Sequence, residues 1–282
     1  MIRRFAVIAL VLTAMAAVAL AQVVQDVPGK AGDIDWTSQV VSATGIGALN
    51  PKLPPSAQRK NALRAAQLDA MRNMIETLNG VVLTSETTVE NAMTSSDVIK
   101  TKVEGIVRNF RFTSKPRYMS DGSVEIDMEM LLTGKVGDVL MPDQMGEKKP
   151  TFASLPSNFN YSEPQPWTGL IVDASEVTGV EPAMVPNVLD ESGEGVYGQD
   201  FVPRESAVNY GVAQYAKSVD EAKKLTERVG TNPLVVKAIR ASGLNKSDLV
   251  ISDKDVETVA TISDDTDVYE KCRVVIVVAA KP

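Results

Sequence analysis

Directly after Pro51, Pro54 and Pro55, which forbid a helix continuing from the preceding residues, the chain enters a long stretch of helical periodicity. Leu63, Ala66, Ala70, Met74 and Leu78 recur at helical spacing, and Met71 and Ile75 broaden the stripe. Arg59, Lys60, Arg64, Asp69, Arg72 and Glu76 fill the remainder of the surface. Ser56 to Leu78 is therefore predicted as one helix, stopped by Asn79-Gly80. A helix with one long apolar face must bury it, and the segments around it are β-branched, so a helix packed on a sheet is the expected layer.

The flanking patterns extend that layer. Residues 22–35 are polar and Gly-containing and read as a flexible leader, with structure starting at Trp36. Val40 to Thr44 alternates as a strand that ends at Gly45-Ile46-Gly47. Val81 to Val89 is β-branched and Thr-rich, a second strand, and Ser95 to Gly105 is a shorter helix with Ile99, Val103 and Ile106 on one face. Val107 to Tyr118 and Val124 to Leu132 form a hairpin about Ser120-Asp121-Gly122-Ser123. In the return strand Val124, Ile126, Met128, Met130 and Leu132 face inward, and Glu125, Asp127 and Glu129 face water. Residues 36–140 are thus predicted as β-α-β-α-β-β, with two helices on one face of an antiparallel-rich sheet.

Prolines 142, 150, 156, 164 and 166 lie among charged and small residues, which marks 141–166 as a linker. Residues 167–282 then read as a second, smaller α+β domain. Its expected strands are 169–174, 183–189, 234–239, 249–251 and 273–279. Its helices begin at the capping box Ser218-Val219-Asp220-Glu221, ending at Gly230, and at Ser252. The fold class is a two-domain α+β protein. Cys272 falls in a run apolar on both faces, where a lone Cys is a small core residue.

The first 21 residues read as a cleaved secretory signal. Arg3 and Arg4 precede an uncharged apolar stretch from Phe5 to Leu20, and Ala19-Leu20-Ala21 sets cleavage between Ala21 and Gln22. No Cys follows the stretch to accept a lipid, and no later segment is apolar enough to span a bilayer.

The 282 residues contain no His and one Cys, with a formal net charge of −7 at pH 7. His-based triads, His-metal sites, zinc-thiolate sites and internal disulfides are excluded by that count, and the acidic balance argues against nucleic acid as a partner. Gly45-Ile46-Gly47 lacks the third glycine of a dinucleotide fingerprint. Asp190, Ser192 and Glu194 imitate half a calcium loop, but Phe201 stands where its bidentate Glu belongs. Asp264, Asp265 and Asp267 are adjacent loop acids, and Glu125, Asp127 and Glu129 form an exposed stripe rather than an acid/base pair across a cleft. No catalytic, cofactor or metal residue is predicted, and the chain is expected not to be an enzyme.

Ala43-Thr44-Gly45-Ile46-Gly47, the helix from Asn61 to Glu76, Gly80-Val81-Val82-Leu83, Thr87-Thr88-Val89, Val103-Glu104-Gly105-Ile106-Val107 and the Asp121-Gly122 hairpin together resemble the LPP-type bacterial surface lipoprotein family. That family includes flagellar protein P-like proteins and is similar in layout to the N-terminal domain of flagellar assembly protein T. The resemblance covers Trp36 to Leu140 and implies a non-catalytic envelope protein, periplasmic or outer-membrane-associated. It implies assembly with other envelope proteins, among them a second copy of itself, around flagellar or outer-membrane structures. The competing expectation is a periplasmic module binding a small ligand or glycan in an inter-domain cleft, with Trp167 or Tyr161 at the rim. A hydrolase is the third.

Overall fold

A computed structural model describes residues 22–27, 31–110, 112, 114–148, 166–262 and 267–279. The expected cleavage position lies at its edge: Gln22 is described, whereas Ala21 and the rest of the signal lie outside the described residues. The chain is α+β, with two sheets. The first half runs β1 (Val24–Asp26), β2 (Gly32–Asp35), β3 (Val40–Gly47), α1 (Pro55–Asn79), α2 (Val89–Ser95), α3 (Asp97–Arg108), β4 (Arg117–Tyr118), β5 (Val124–Leu131) and α4 (Lys135–Leu140). Its five strands are ordered β1-β2-β3-β5-β4 and every neighbouring pair is antiparallel.

The helix α1 lies directly on β3 because both surfaces are stripped of side chains. Ala62, Ala66 and Ala70 form the contact stripe and are fully buried. A Cβ on Gly45 would stand 2.7 Å from the Ala70 Cα and closer still to the Ala66 carbonyl oxygen. On Gly47 it would stand 2.6 Å from the Ala66 amide nitrogen and closer to the Ala62 carbonyl. The two glycines therefore serve close helix–sheet packing, and the pair that imitates a phosphate loop is a packing device.

Three expectations for this half are corrected. Residues within the supposed leader form β1 and β2, because Val23, Ile34 and Trp36 are inward-facing and buried, and the Trp36 indole donates to Gln25 Oε1 at 2.8 Å. The acidic residues between them only imitate a loop. Val81 to Val89 is no strand of this sheet. It turns back on itself through one bridge, Val82 to Thr88, and then starts α2 with Thr88 as its cap. The hairpin's first arm shrinks to Arg117–Tyr118, because α3, capped by Ser96, runs on through Val107 and Arg108. Burying both Val103 and Val107 outweighs the β-branching that suggested a strand. The return arm is as expected, with Val124, Ile126, Met128 and Met130 buried.

The second half runs β6 (Gly169–Ala174), β7 (Val188–Leu189), β8 (Gly195–Tyr197), α5 (Arg204–Tyr210), β9 (Gln214–Ala216), α6 (Val219–Lys224), α7 (Thr226–Val229), β10 (Pro233–Ser242), β11 (Asp248–Ile251), α8 (Asp253–Val259) and β12 (Val274–Val278). The mixed sheet is ordered β8-β7-β11-β10-β6-β12-β9. The central β6 and β12 are parallel to each other, and β12 is buried along its whole length. Ser218 and Ser252 cap α6 and α8 as expected, and Gly230 ends α7 at φ 71°. Of residues 183–189 only Val188–Leu189 is strand. Cys272 is fully buried but sits two residues before β12, in a turn at φ 51°.

The expected linker is also revised where it is described. Met141 and Met145 are buried, and the main-chain amides of Gly146 and Lys148 donate to Gln199 and Asp200. That segment is bonded along the second half; residues 149–165, with Tyr161 among them, lie outside the described residues. One continuous set of buried apolar side chains runs through both halves.

Candidate functional site

An inter-domain cleft was the expected place for a ligand; between the halves the structure has two small voids, one of about 10 Å³ and one of about 90 Å³ lined by Val23, Gln25, Val180, Pro182, Lys217 and Val278. Trp36 meets Tyr215 edge-on, with ring centroids 5.6 Å apart. Beside them Thr37 Oγ1 accepts from the Val23 amide at 2.9 Å and donates to the Tyr215 carbonyl at 2.8 Å. Gln39 Nε2 donates to Ala213 O, and Gln214 Nε2 donates to Thr37 O. The void left among Trp36, Leu132, Met184 and Ala213 holds about 10 Å³, the room of a single water.

A second seam explains why residues 81–84 look like a strand. Their hydrogen bonds go to the other half: Met184 N donates to Val82 O and Val185 N to Leu83 O, while Asn245 reaches Ser85 O and Thr84 O. Asp248 accepts from the Asn187 amide and side chain and bonds to the Ser85 hydroxyl. Burial pushes its carboxyl up from the ordinary value, against the lowering effect of those bonds.

Trp167, proposed at the cleft rim, is half-buried, packs on the core and donates to Thr261 Oγ1 at 3.2 Å. It is a packing residue. Asp190 Oδ1 accepts from Ser192 Oγ and the Glu194 amide, which closes the loop on itself. Asp264 and Asp265 lie outside the described residues, and Asp267 pairs with Lys271 at 2.6 Å. Among the described residues no group of His, Cys, Asp and Glu is placed to hold a metal.

The acidic stripe of β5 is partly neutralised. Arg117 pairs with both Asp127 and Glu125, and Thr44 Oγ1 donates to Asp127 at 2.8 Å. The guanidinium bond holds the Asp127 carboxyl below the usual carboxylate range. Two acids sharing one arginine, one of them held ionised, do not make an acid/base pair.

Around Cys272 the chemistry is equally quiet. Burial pushes its thiol up to about 11, with the Arg228 guanidinium and the Tyr197 hydroxyl opposing that rise. Arg228 is buried and donates to the carbonyls of Val274, Tyr210, Gly211 and Val212. It ties the end of α5 to the start of β12, a structural function that sequence reading missed because only the fold brings those four carbonyls together.

A much larger concavity among the described residues lies elsewhere, a groove of about 1040 Å³ bounded by α3, the end of β5 and α4. Ile106, Phe110, Met130, Leu131, Val136 and Val139 supply its apolar surface. Lys102, Glu129, Lys135 and Asp138 stand among its lining as the charged groups. The α4 wall is fixed by the second half: Gly134 N donates to Val208 O at 2.7 Å and Arg204 pairs with Asp138 at 2.9 Å. Of these lining positions, Gly105 and Ile106 fall in the stretch that carries the family resemblance, whereas Lys102 and Asn109 had no motif to mark them. The i, i+3, i+4, i+7 spacing was present, but read as strand from Val107 onward.

Comparison with known families assigns each half separately. Residues 37–127 match the family model of the LPP20 lipoprotein. That stretch is similar to the LPP20 lipoprotein family. Residues 169–280 match the model of the second domain of Treponema pallidum Tp0624. No curated protein matches the chain. The LPP20 match contains β3, α1, α2, α3, β4 and the start of β5, so it supplies the α3 wall of the groove. The remainder of β5 and α4 follow it, and the α5 residues that fix α4 belong to the Tp0624-like part.

Proposed function

We propose that the protein is an exported, non-catalytic component of the bacterial cell envelope that holds other envelope proteins in an assembly. The LPP20 match and the signal-like first 21 residues support export and envelope association. No helix among the described residues is long and apolar enough to cross a membrane. Flagellar or outer-membrane structures are the setting that the LPP-type resemblance suggests.

The observation that carries the reading is the form of the surface. The two halves are joined through buried seams, and the voids between them are small, about 10 Å³ and about 90 Å³. The broad concavity is instead an apolar groove open to solvent, the kind of surface that takes a protein segment. Crosslinking of the tagged protein in intact cells, followed by mass spectrometry of its covalent neighbours, tests this reading. Links to flagellar or other outer-membrane assembly components are expected. An absence of links to any other envelope protein, together with a ligand-dependent melting shift across a cell-wall and metabolite panel, overturns it in favour of ligand binding.

A further inference from the structure

We infer that the α3–β5–α4 groove is the docking site for an amphipathic helix of an envelope partner, one with carboxylates flanking its apolar face. The inference rests on the assembly reading above and names the partner's chemistry.

Gly105 is the ninth of the 12 residues of α3 and lies in its last turn. Glycine inside a helix lowers stability and ordinarily has a packing reason there. Gly45 and Gly47 have that reason, because backbone stands where their Cβ atoms would be. Gly105 has none among the described residues: a Cβ there would meet none of their atoms within 4 Å. Its effect is to leave a notch in a groove wall whose other members, Lys102, Ile106 and Asn109, lie on the same helix face. A smooth helical ridge interrupted by a glycine admits the close approach of a second helix.

The apolar part of the groove matches such a helix. Ile106, Phe110, Leu131 and Val139 are incompletely buried, and Leu131 is 58% exposed at the end of β5. Leaving these side chains wet forfeits the burial that a partner's i, i+3, i+4 and i+7 residues would supply. The α3 wall is about 18 Å long, which suits a partner of three turns.

Charge selects the partner further. Lys102 on α3 and Lys135 on α4 face the groove from opposite walls, and neither makes an ion pair among the described residues. Asp138 is neutralised by Arg204, which leaves Glu129 as the opposing charge. The rim is thus a locally positive place on a protein of net charge −7. Carboxylates along the docked helix complement it.

A photo-crosslinking benzophenone side chain at Thr133, inside the groove, tests this in cells expressing the full chain, with the same probe at exposed Leu244 as the comparison site. The expected result is capture at Thr133 of a peptide with apolar residues at i, i+3, i+4 and i+7 and acidic neighbours. Gly105→Trp, which fills the notch, should lower that capture by about tenfold or more, as blocking a central pocket does. Gly105→Ala should leave it intact, and Lys102→Glu with Lys135→Glu should lower it even if the Trp variant does not fold. Capture at Thr133 of lipid, of an extended peptide or of nothing overturns the docked helix. So does helix capture indifferent to both the notch-filling and charge-reversed variants. If Leu244 alone captures envelope proteins, the groove assignment fails and the assembly reading stands; if neither probe captures any protein, both fail.

Discussion

Thr37→Val removes a hydroxyl that is buried between the two halves while keeping the shape of the side chain. In the wild type that oxygen accepts from the Val23 amide at 2.9 Å and donates to the Tyr215 carbonyl at 2.8 Å. Valine leaves both main-chain groups without this partner, in a place already packed by Trp36 and Tyr215. Each stranded buried group costs about 1–3 kcal/mol, so the pair should cost about 3 kcal/mol. At about 2.1 cal/mol/K of unfolding entropy per residue, a chain of 282 residues should then lose about 5 °C in Tm. The more telling quantity is the number of transitions. Because the seam is continuous with one apolar core, calorimetry should show a single transition before and after the substitution, moved as a whole. Two resolved transitions with only one displaced, or a shift below about 1 °C, would refute the claim that the halves fold as one unit.

Gly47→Ala should destabilise by about 3 kcal/mol, the upper end of overpacking, because its Cβ meets the Ala62 and Ala66 main chain rather than a movable side chain; urea midpoints measure it. Asp248→Asn should raise Tm at neutral pH. The native fold holds the Asp248 proton more tightly than the unfolded chain does, so its contribution is fully present below pH 3.8 and is lost as pH rises through the higher folded value. The gap between variant and wild type in a pH series of melts should therefore open upward from about pH 4 and vanish below it; a gap that widens toward acid would contradict the assignment. Cys272, its thiol pushed up to about 11 by burial, should ignore a colourless disulfide reagent at pH 7 and react fully once the chain is unfolded in urea.

Much of the architecture could be read from local patterns. The helix on β3, the β5 alternation, the capping serines at 218 and 252 and the doubly buried β12 all express periodicities of two or 3.6 residues that survive folding unchanged. The misread elements are those whose partners are distant. The β-branched Val81–Thr84 stretch reads as part of a strand, but its carbonyls at Val82 and Leu83 accept from Met184 and Val185, about a hundred residues away. Residues 22–35 carry too few apolar side chains to announce strands, and it is the burial of Val23 and Ile34, with the ladders to β2 and β3, that holds them in the sheet. Segment 141–148 has linker composition, yet its amides find acceptors on Gln199 and Asp200.

The groove shows the same division. By itself the sequence determined a two-part α+β chain without histidine chemistry. It could not determine that α4 would be held across from α3, because the atoms that hold it, Val208 O and the Arg204 guanidinium, belong to the other half. Helix and strand identity follow from short-range periodicity and steric preference. A concave surface between elements follows from long-range packing, where each wall is positioned by residues that no local pattern links to it.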